Sequence, residues 1–405
     1  MSQDYPLEPV PQEARRSTLS LYAVLLGFTF FTATMFAGGQ LGAAFPFWPD
    51  LVGLVVLGNL ILAAYASVLA VVAFRSGLPT AVMARFCFGD WGSRWSDILL
   101  GFTQIGWYAW GTGTVATVTM ELLNLSPNWE IPLMLFCGLF FSLTAFIGYR
   151  GLDLLARITV PMMTFLIFWS FWLSYQEAGR SGVQAPSESM SWATAITAIV
   201  GTFASGATQS TNWSRFARTQ SAAVGATATA FLLGNGLMVF AGAVGASVYQ
   251  EPDLVRVLVK QGIVVWAVIM LFGNIWTTQD NTIYNFSLAG CSLLRSDTRR
   301  LITLGGAALG TALALLGFAE ALVPFLLMLG IAIPPLGGVI AADFFWVWRG
   351  QYPRLEPAQP KFHWGGLMAY GVGVAAALWL PGIPPVNGIA AAAITHVLSR
   401  GGKDG

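Results

Sequence analysis

The run Phe272-Gly273-Asn274-Ile275-Trp276-Thr277-Thr278-Gln279-Asp280-Asn281 interrupts an otherwise apolar stretch. If that stretch lies in lipid, each of these polar groups is costly unless it faces protein or a cavity. Asn274, Thr277 and Thr278 stand at i, i+3 and i+4, so a helix presents them on one face. Their two hydroxyls, with a carbonyl released where hydroxyls compete for backbone hydrogen bonds, are oxygen ligands for a small hard cation. A second segment, Gly27-Phe28-Thr29-Phe30-Phe31-Thr32, has the composition of a helix that unwinds midway. Unwinding there would add the carbonyls of Gly27 and Phe30. Five neutral oxygens from Gly27, Phe30, Asn274, Thr277 and Thr278 suit Na+, although the residue types are equally compatible with proton coupling. The same two threonines also fit a plainer pattern, hydroxyls bonded back to their own helix.

Two further segments place aromatic and polar groups at similar depth: Gln104-Ile105-Gly106-Trp107-Tyr108, and Gly201-Thr202-Phe203-Ala204-Ser205-Gly206. Aromatic faces such as those of Trp107 and Phe203 can sandwich a flat ring while Gln104 and Ser205 read its edge, the chemistry by which proteins hold unpaired bases. A neutral planar heterocycle fits such a slot. With 16 Trp and 28 Phe in the chain, a single aromatic carries little weight, since most face lipid or form interfacial belts. Asp280 is the main candidate for a buried charge, as a proton carrier, a structural acceptor or an inner-gate residue paired with an arginine such as Arg85 or Arg215. No Lys or Arg falls in mid-span, which argues against a carboxylate or phosphate as the ligand. No acid/base or nucleophile set accompanies these residues, so an enzyme is not expected.

The elements that position these groups must be membrane helices. Of 405 residues, 56% are hydrophobic and 10% charged, against about 25% charged in a soluble domain. The formal charge of +1 gives no field to gather nucleic acid. Cys87, Cys137 and Cys291 lie far apart, and His363 and His396 are the only histidines, so neither a disulfide framework nor a metal cluster is expected. Crossing the hydrocarbon takes about 20 apolar residues. Such runs lie near 19–40, 51–74, 96–122, 131–149, 154–175, 192–213, 222–249, 262–291, 301–317, 321–345, 364–380 and 383–399, which predicts twelve helices.

The cations test that count. With the N-terminus inside, 17 of the 20 Lys and Arg fall on the cytoplasmic side, and only Arg180, Arg256 and Lys260 fall opposite. The expected organisation is a cytoplasmic tail over 1–18, a ten-helix core over 19–348, a cytoplasmic loop over 349–363, two last helices over 364–400, and a cytoplasmic tail over 401–405. The first and sixth helices carry the two glycine-bounded polar windows. They are five helices apart, which predicts two five-helix repeats of opposite orientation.

The chain resembles the nucleobase-cation symporter family. The resemblance runs from MSQD and PVPQEAR through LGFTFFTATMFAGGQLG, ARFCFG, GFTQIGWYAWG, VGTFASGATQSTNWSRFAR and GNIWTTQDN to AIPPLGGVIAADFF and WLPGIPPVNG. It implies an all-α integral membrane protein of leucine-transporter-like fold, with two inverted five-helix repeats and two peripheral helices. It also implies cytosine uptake by sodium or another cation through alternating access in a bacterial inner membrane, both termini cytoplasmic, with no obligate protein partner. Uracil, hydantoin and allantoin are the near alternatives. Carried over by position, Trp107 and Phe203 look like a stacking pair, and Ser205, Asn274 and the backbone at Gln104 like edge-reading groups. The carbonyls of Gly27, Phe30 and Asn274 with the hydroxyls of Thr277 and Thr278 look like the cation site. TTQDN stands here where the family tends to TTNDN, and MFAGG where it tends to MWTGG.

Overall fold

Backbone in lipid must satisfy its own hydrogen bonds, so the apolar runs fold as helices. The computed structural model describes residues 4–183, 186, 189–251, 253–318, 322–353 and 360–400; the expected tail at 401–405 and residues 354–359 of the loop lie outside them. In chain order the helices are α1 (Thr18–Thr29), α2 (Thr32–Ala44), α3 (Val52–Ser76), α4 (Thr80–Phe88), α5 (Ser93–Leu123), α6 (Glu130–Phe140) and α7 (Leu143–Ile147). Then come α8 (Tyr149–Ser181), α9 (Trp192–Gln209), α10 (Thr211–Ser214), α11 (Gln220–Thr229), α12 (Asn235–Tyr249) and α13 (Leu254–Lys260). The series ends with α14 (Val264–Leu294), α15 (Arg299–Leu315), α16 (Leu322–Ala332), α17 (Pro334–Ala342), α18 (Trp364–Trp379) and α19 (Pro384–Arg400).

Among the described residues, five helical runs are long and apolar enough to cross a bilayer: Phe47–Ser76, Pro127–Ile147, Tyr149–Ser181, Gln220–Tyr249 and Pro324–Val347. A sixth is reached if α1 and α2, bent by 55°, count as one. The remaining expected crossings fall short for physical reasons. α5 and α14, 31 residues each, have the length, but polar residues lie along their middles. α15, α18 and α19 are 16 or 17 residues long.

Small residues let these helices approach closely, as is usual in membrane bundles. α2 and α12 cross so tightly that a methyl group on Gly38 or Gly242 would overlap the backbone of Val239 or Met35. α18 and α19 pack on each other, and His396 of α19, fully buried, lies 2.8 Å from Asp343 just beyond α17, which ties this last pair to the rest.

From Asp4 onward, the segment expected as a tail over 1–18 is part of the packed body. Asp4 pairs with Arg299 at 3.0 Å and accepts from the Tyr149 amide at 3.1 Å. Arg215 donates to the carbonyls of Asp4 and Tyr5 at 2.6 and 2.7 Å. Farther along, Val10 bonds to Gly77 at 3.0 Å and Arg16 to Phe216 at 2.7 Å. The segment therefore straps the ends of α3, α8, α10 and α15 together.

Candidate functional site

The break between α1 and α2 lies at Phe30 (φ −78°, ψ 85°) and Phe31 (φ −132°, ψ 128°), both outside the helical region. A helix beginning there has orphan amides in mid-bundle, and Phe31 has no side chain able to cap them. Asn274 of α14 supplies the cap from another helix. Its Oδ1 accepts from the Thr32 amide at 2.8 Å and from the Thr32 hydroxyl at 2.7 Å. Because a backbone N–H can only donate, this fixes the amide's orientation. Asn274 Nδ2 faces away from the cap, buried and without a hydrogen-bond partner among the described residues.

One turn farther on, Thr278 Oγ1 lies 3.2 Å from the Phe30 carbonyl and 3.1 Å from the Asn274 carbonyl. Thr277 Oγ1 lies 3.0 Å from the Asn274 carbonyl and 2.9 Å from that of Gly273. Four of the five oxygens expected as cation ligands are thus brought together. Both hydroxyls reach back to their own helix, the plainer of the two patterns, and Thr278 also bridges to the broken one. A methyl group added at Gly27 would meet Ala156 and Val160 of α8, and among the described residues no hydrogen bond joins Gly27 to this group. α14 itself runs unbroken through the polar stretch.

Phe203 sits at a kink in α9 (φ −133°, ψ 19°), the second irregular point. Trp107 and Phe203 are 4% and 3% exposed. Phe31 touches both rings edge-on, at centroid distances of 5.3 Å to Trp107 and 6.3 Å to Phe203. Phe325 contacts the Trp107 ring at 5.2 Å, and Phe28 the Phe203 ring at 5.0 Å. Gly206 leaves room for that last pair, since a methyl group there would press on both rings. Ser205 is buried beside Gly206. Gln104 lies one turn from Trp107 on α5, fully enclosed, with both amide atoms without a hydrogen-bond partner among the described residues. Unsatisfied buried amides are expensive, so Gln104 and the Asn274 amino group mark where a polar ligand would be welcomed.

Comparisons with known proteins identify the family. The family described as "Permease for cytosine/purines, uracil, thiamine, allantoin" matches residues 9–398. The chain belongs to this family of permeases. The cytosine permeases of Escherichia coli strain K12 and of Escherichia coli O157:H7 are each 36% identical to it, over 98% of this chain and 95% of the relative. Among solved structures, Mhp1, a nucleobase-cation-symport-1 family transporter, in a closed conformation with bromovinylhydantoin bound, superposes with a TM-score of 0.86 at 21% identity, covering 97% of this chain and 94% of that one. The inward-facing conformation of Mhp1 gives 0.80 at 22% identity, covering 97% and 92%. A Na+-coupled sialic acid symporter gives 0.68 at 11% identity, covering 96% and 90%. The chain is therefore a permease and not an enzyme, and its fold is shared with these transporters.

Within the permease, Asp280 takes no arginine among the described residues. Its carboxylate accepts from the Thr144 hydroxyl at 2.9 Å and from Asn281 Nδ2 at 3.0 Å. Arg85 instead pairs with Asp90 at 2.5 Å, and Arg215 is spent on the N-terminal strap. The structural reading of Asp280 is the one its contacts support. Two residues of the site, Thr32 and Phe31, escape a reading by residue type. Thr32 was legible through a different signal: a helix start with no Ser, Thr, Asp or Asn in the capping position must borrow an acceptor from elsewhere. Phe31 carried no signal among 28 phenylalanines.

Proposed function

We propose that this permease imports cytosine by symport with sodium, moving both through alternating access of a twelve-helix, leucine-transporter-like body. In this reading α1 to α17 form ten crossings in two inverted five-crossing repeats, α18 and α19 are the peripheral pair, and both termini lie on the cytoplasmic side of a bacterial inner membrane. The base lies between Trp107 and Phe203 with Phe31 as a third wall, and Ser205 lies beside it. Sodium takes the carbonyls of Gly27, Phe30 and Asn274 and the hydroxyls of Thr277 and Thr278.

The observation that carries the substrate assignment is the set of unpaired amide atoms. Cytosine presents an amino donor, a ring-nitrogen acceptor and a carbonyl acceptor along one edge. Gln104 offers an acceptor and a donor, and Asn274, held by its bonds to Thr32, offers a donor. Those three complement that edge in order. Gln104, whose amide atoms have no partner among the described residues, can also turn over and read the acceptor-donor-acceptor edge of uracil. Uracil is thus a second substrate reading with the same residues.

Coupling follows from Asn274. Its carbonyl serves the ion, its Oδ1 holds α2, and its Nδ2 meets the base, so each ligand favours the arrangement the other needs and their affinities are reciprocally linked. The deciding experiment measures cytosine affinity in proteoliposomes as sodium is titrated, with uracil, hydantoin and allantoin as competitors. Affinity that rises with sodium, with cytosine the strongest competitor, is the expected result. A flat response would point to protons, and stronger displacement by another base would reassign the substrate.

A further inference from the structure

A side-chain hydrogen bond that joins α14 to α5 is made by Gln279, a residue to which no role is assigned above. Its side chain is fully buried, and Nε2 donates to the main-chain carbonyl of Tyr108 at 2.8 Å. That carbonyl belongs to the residue following Trp107. The amide reaches it through a gap left by Gly111, where even a methyl group would overlap Gln279. Gly111 and Gln279 are therefore a matched pair: one vacates the volume that the other fills.

Tyr108 is anchored on its other side as well. Its hydroxyl donates to the Gly138 carbonyl of α6 at 2.5 Å, and its ring lies against Gly310 of α15, which has no side chain to displace it. With the phenol held by α6 and the carbonyl held by α14, the backbone of α5 at Tyr108 can neither rotate nor slide without breaking one of these bonds. Trp107 and, one turn away, Gln104 are carried on that clamped backbone. Gln279 also directly follows Thr278, which bonds to the Phe30 carbonyl at 3.2 Å. Gln279 thus links the α14 segment that carries the oxygen cluster to the α5 segment that carries the indole, beside the Phe31–Trp107 ring contact.

We propose that Gln279 is a positioning residue for the base: its bond to the Tyr108 carbonyl, admitted by Gly111, sets the placement of Trp107 and Gln104 relative to Asn274. The inference rests on the substrate reading above. Gln279→Met keeps the length and bulk of the side chain and removes the N–H donor. Gly111→Ala drives the amide off Tyr108 from the other side. The loss of one hydrogen bond's worth of positioning is expected to weaken cytosine binding about tenfold in each variant. The double variant should be no weaker than either single one, because both remove the same bond. Half-saturation by sodium, whose proposed ligands are untouched, should stay within about twofold.

The test is equilibrium binding of radiolabelled cytosine to the purified, reconstituted permease at saturating sodium, with a melting curve for each variant. A residue that matters only for packing would lower the melting temperature at unchanged cytosine affinity, and that outcome overturns the proposal. So does additive weakening in the double variant. If the unsubstituted permease binds uracil in preference to cytosine, the substrate reading has changed and the same three variants decide the role of Gln279 with uracil. If it binds neither base, the substrate reading has failed before any substitution, and this inference falls with it.

Discussion

Asn274 Oδ1 accepts two hydrogen bonds from Thr32, at 2.8 Å from its amide and 2.7 Å from its hydroxyl, so an unbroken helix caps the free end of a broken one. In a continuous helix the Thr32 amide would donate to the carbonyl of Phe28. Here it is diverted, and the second half of the helix starts afresh at an acceptor that belongs to α14. Replacing Asn274 by Ala removes the cap, the N–H offered to the base and the order of the adjoining carbonyl, and cytosine uptake should be lost. Asn274→Asp is more discriminating, since it keeps an acceptor for both Thr32 bonds and exchanges the free N–H donor for an oxygen of an ionisable carboxyl. It should fold as the parent does and still fail to take up cytosine. Uptake of labelled base into proteoliposomes measures both, and parental uptake by the alanine variant would remove Asn274 from the site.

Thr278 separates the ion from the base. Its hydroxyl lies within 3.2 Å of carbonyls on both α1 and α14, and its methyl group plays no part in those contacts. Thr278→Val preserves shape and deletes the oxygen, whereas Thr278→Ser preserves the oxygen. Half-saturation by sodium should rise at least about tenfold in the valine variant, the loss of one charge-assisted ligand, and stay near the parental value in the serine variant. Equal behaviour of the two variants in a sodium titration of cytosine uptake would show that the hydroxyl is not a ligand.

The sequence was most legible where a residue type is out of place in its surroundings. Asn274, Thr277 and Thr278 stand out because lipid-facing helices exclude them, and their spacing alone puts them on one face. The unwinding near Phe30 was legible from glycine and threonine in mid-run, as was the irregularity at Phe203. Partners contributed from distant segments were not legible. Phe31 meets Trp107 only because α1 breaks at that point, and Asp4 meets Arg299 across 295 positions of sequence, so an opening rich in proline and charge read as a tail. The surroundings of Gly27 were also beyond sequence, because nothing in a string of letters shows that Ala156 and Val160 lie against it.

The Asp4 and Arg299 side chains are 6% and 4% exposed and 3.0 Å apart. Removing one member of such a pair leaves the other charge buried without its counterion, at a cost of roughly 3–5 kcal/mol. Asp4→Ala also deprives the Tyr149 amide of its acceptor. The melting temperature of the detergent-solubilised permease should therefore fall by at least about 5 °C. Asp4→Asn, which can still accept from Tyr149, should fall less. An alanine variant that melts with the parent would mean that the strap contributes nothing to stability.

Asp253 makes stability depend on pH. It caps α13 by accepting the Val255 amide on Oδ1 at 2.9 Å, while Oδ2 is buried without a hydrogen-bond partner among the described residues. Burial pushes this carboxyl up to about 6, with the Val255 amide and Arg256 pulling the other way. An unfolded aspartate titrates near 3.9. The folded chain thus binds this proton more tightly than the unfolded chain does, and its contribution is fully present below about pH 4 and is lost as pH rises through about 6. The difference is on the order of 2–3 kcal/mol. Asp253→Asn retains an acceptor for the Val255 amide and carries no charge at any pH. The parental permease should lose melting temperature between pH 4 and pH 7 relative to this variant, and matching pH profiles for the two would assign the dependence to other groups.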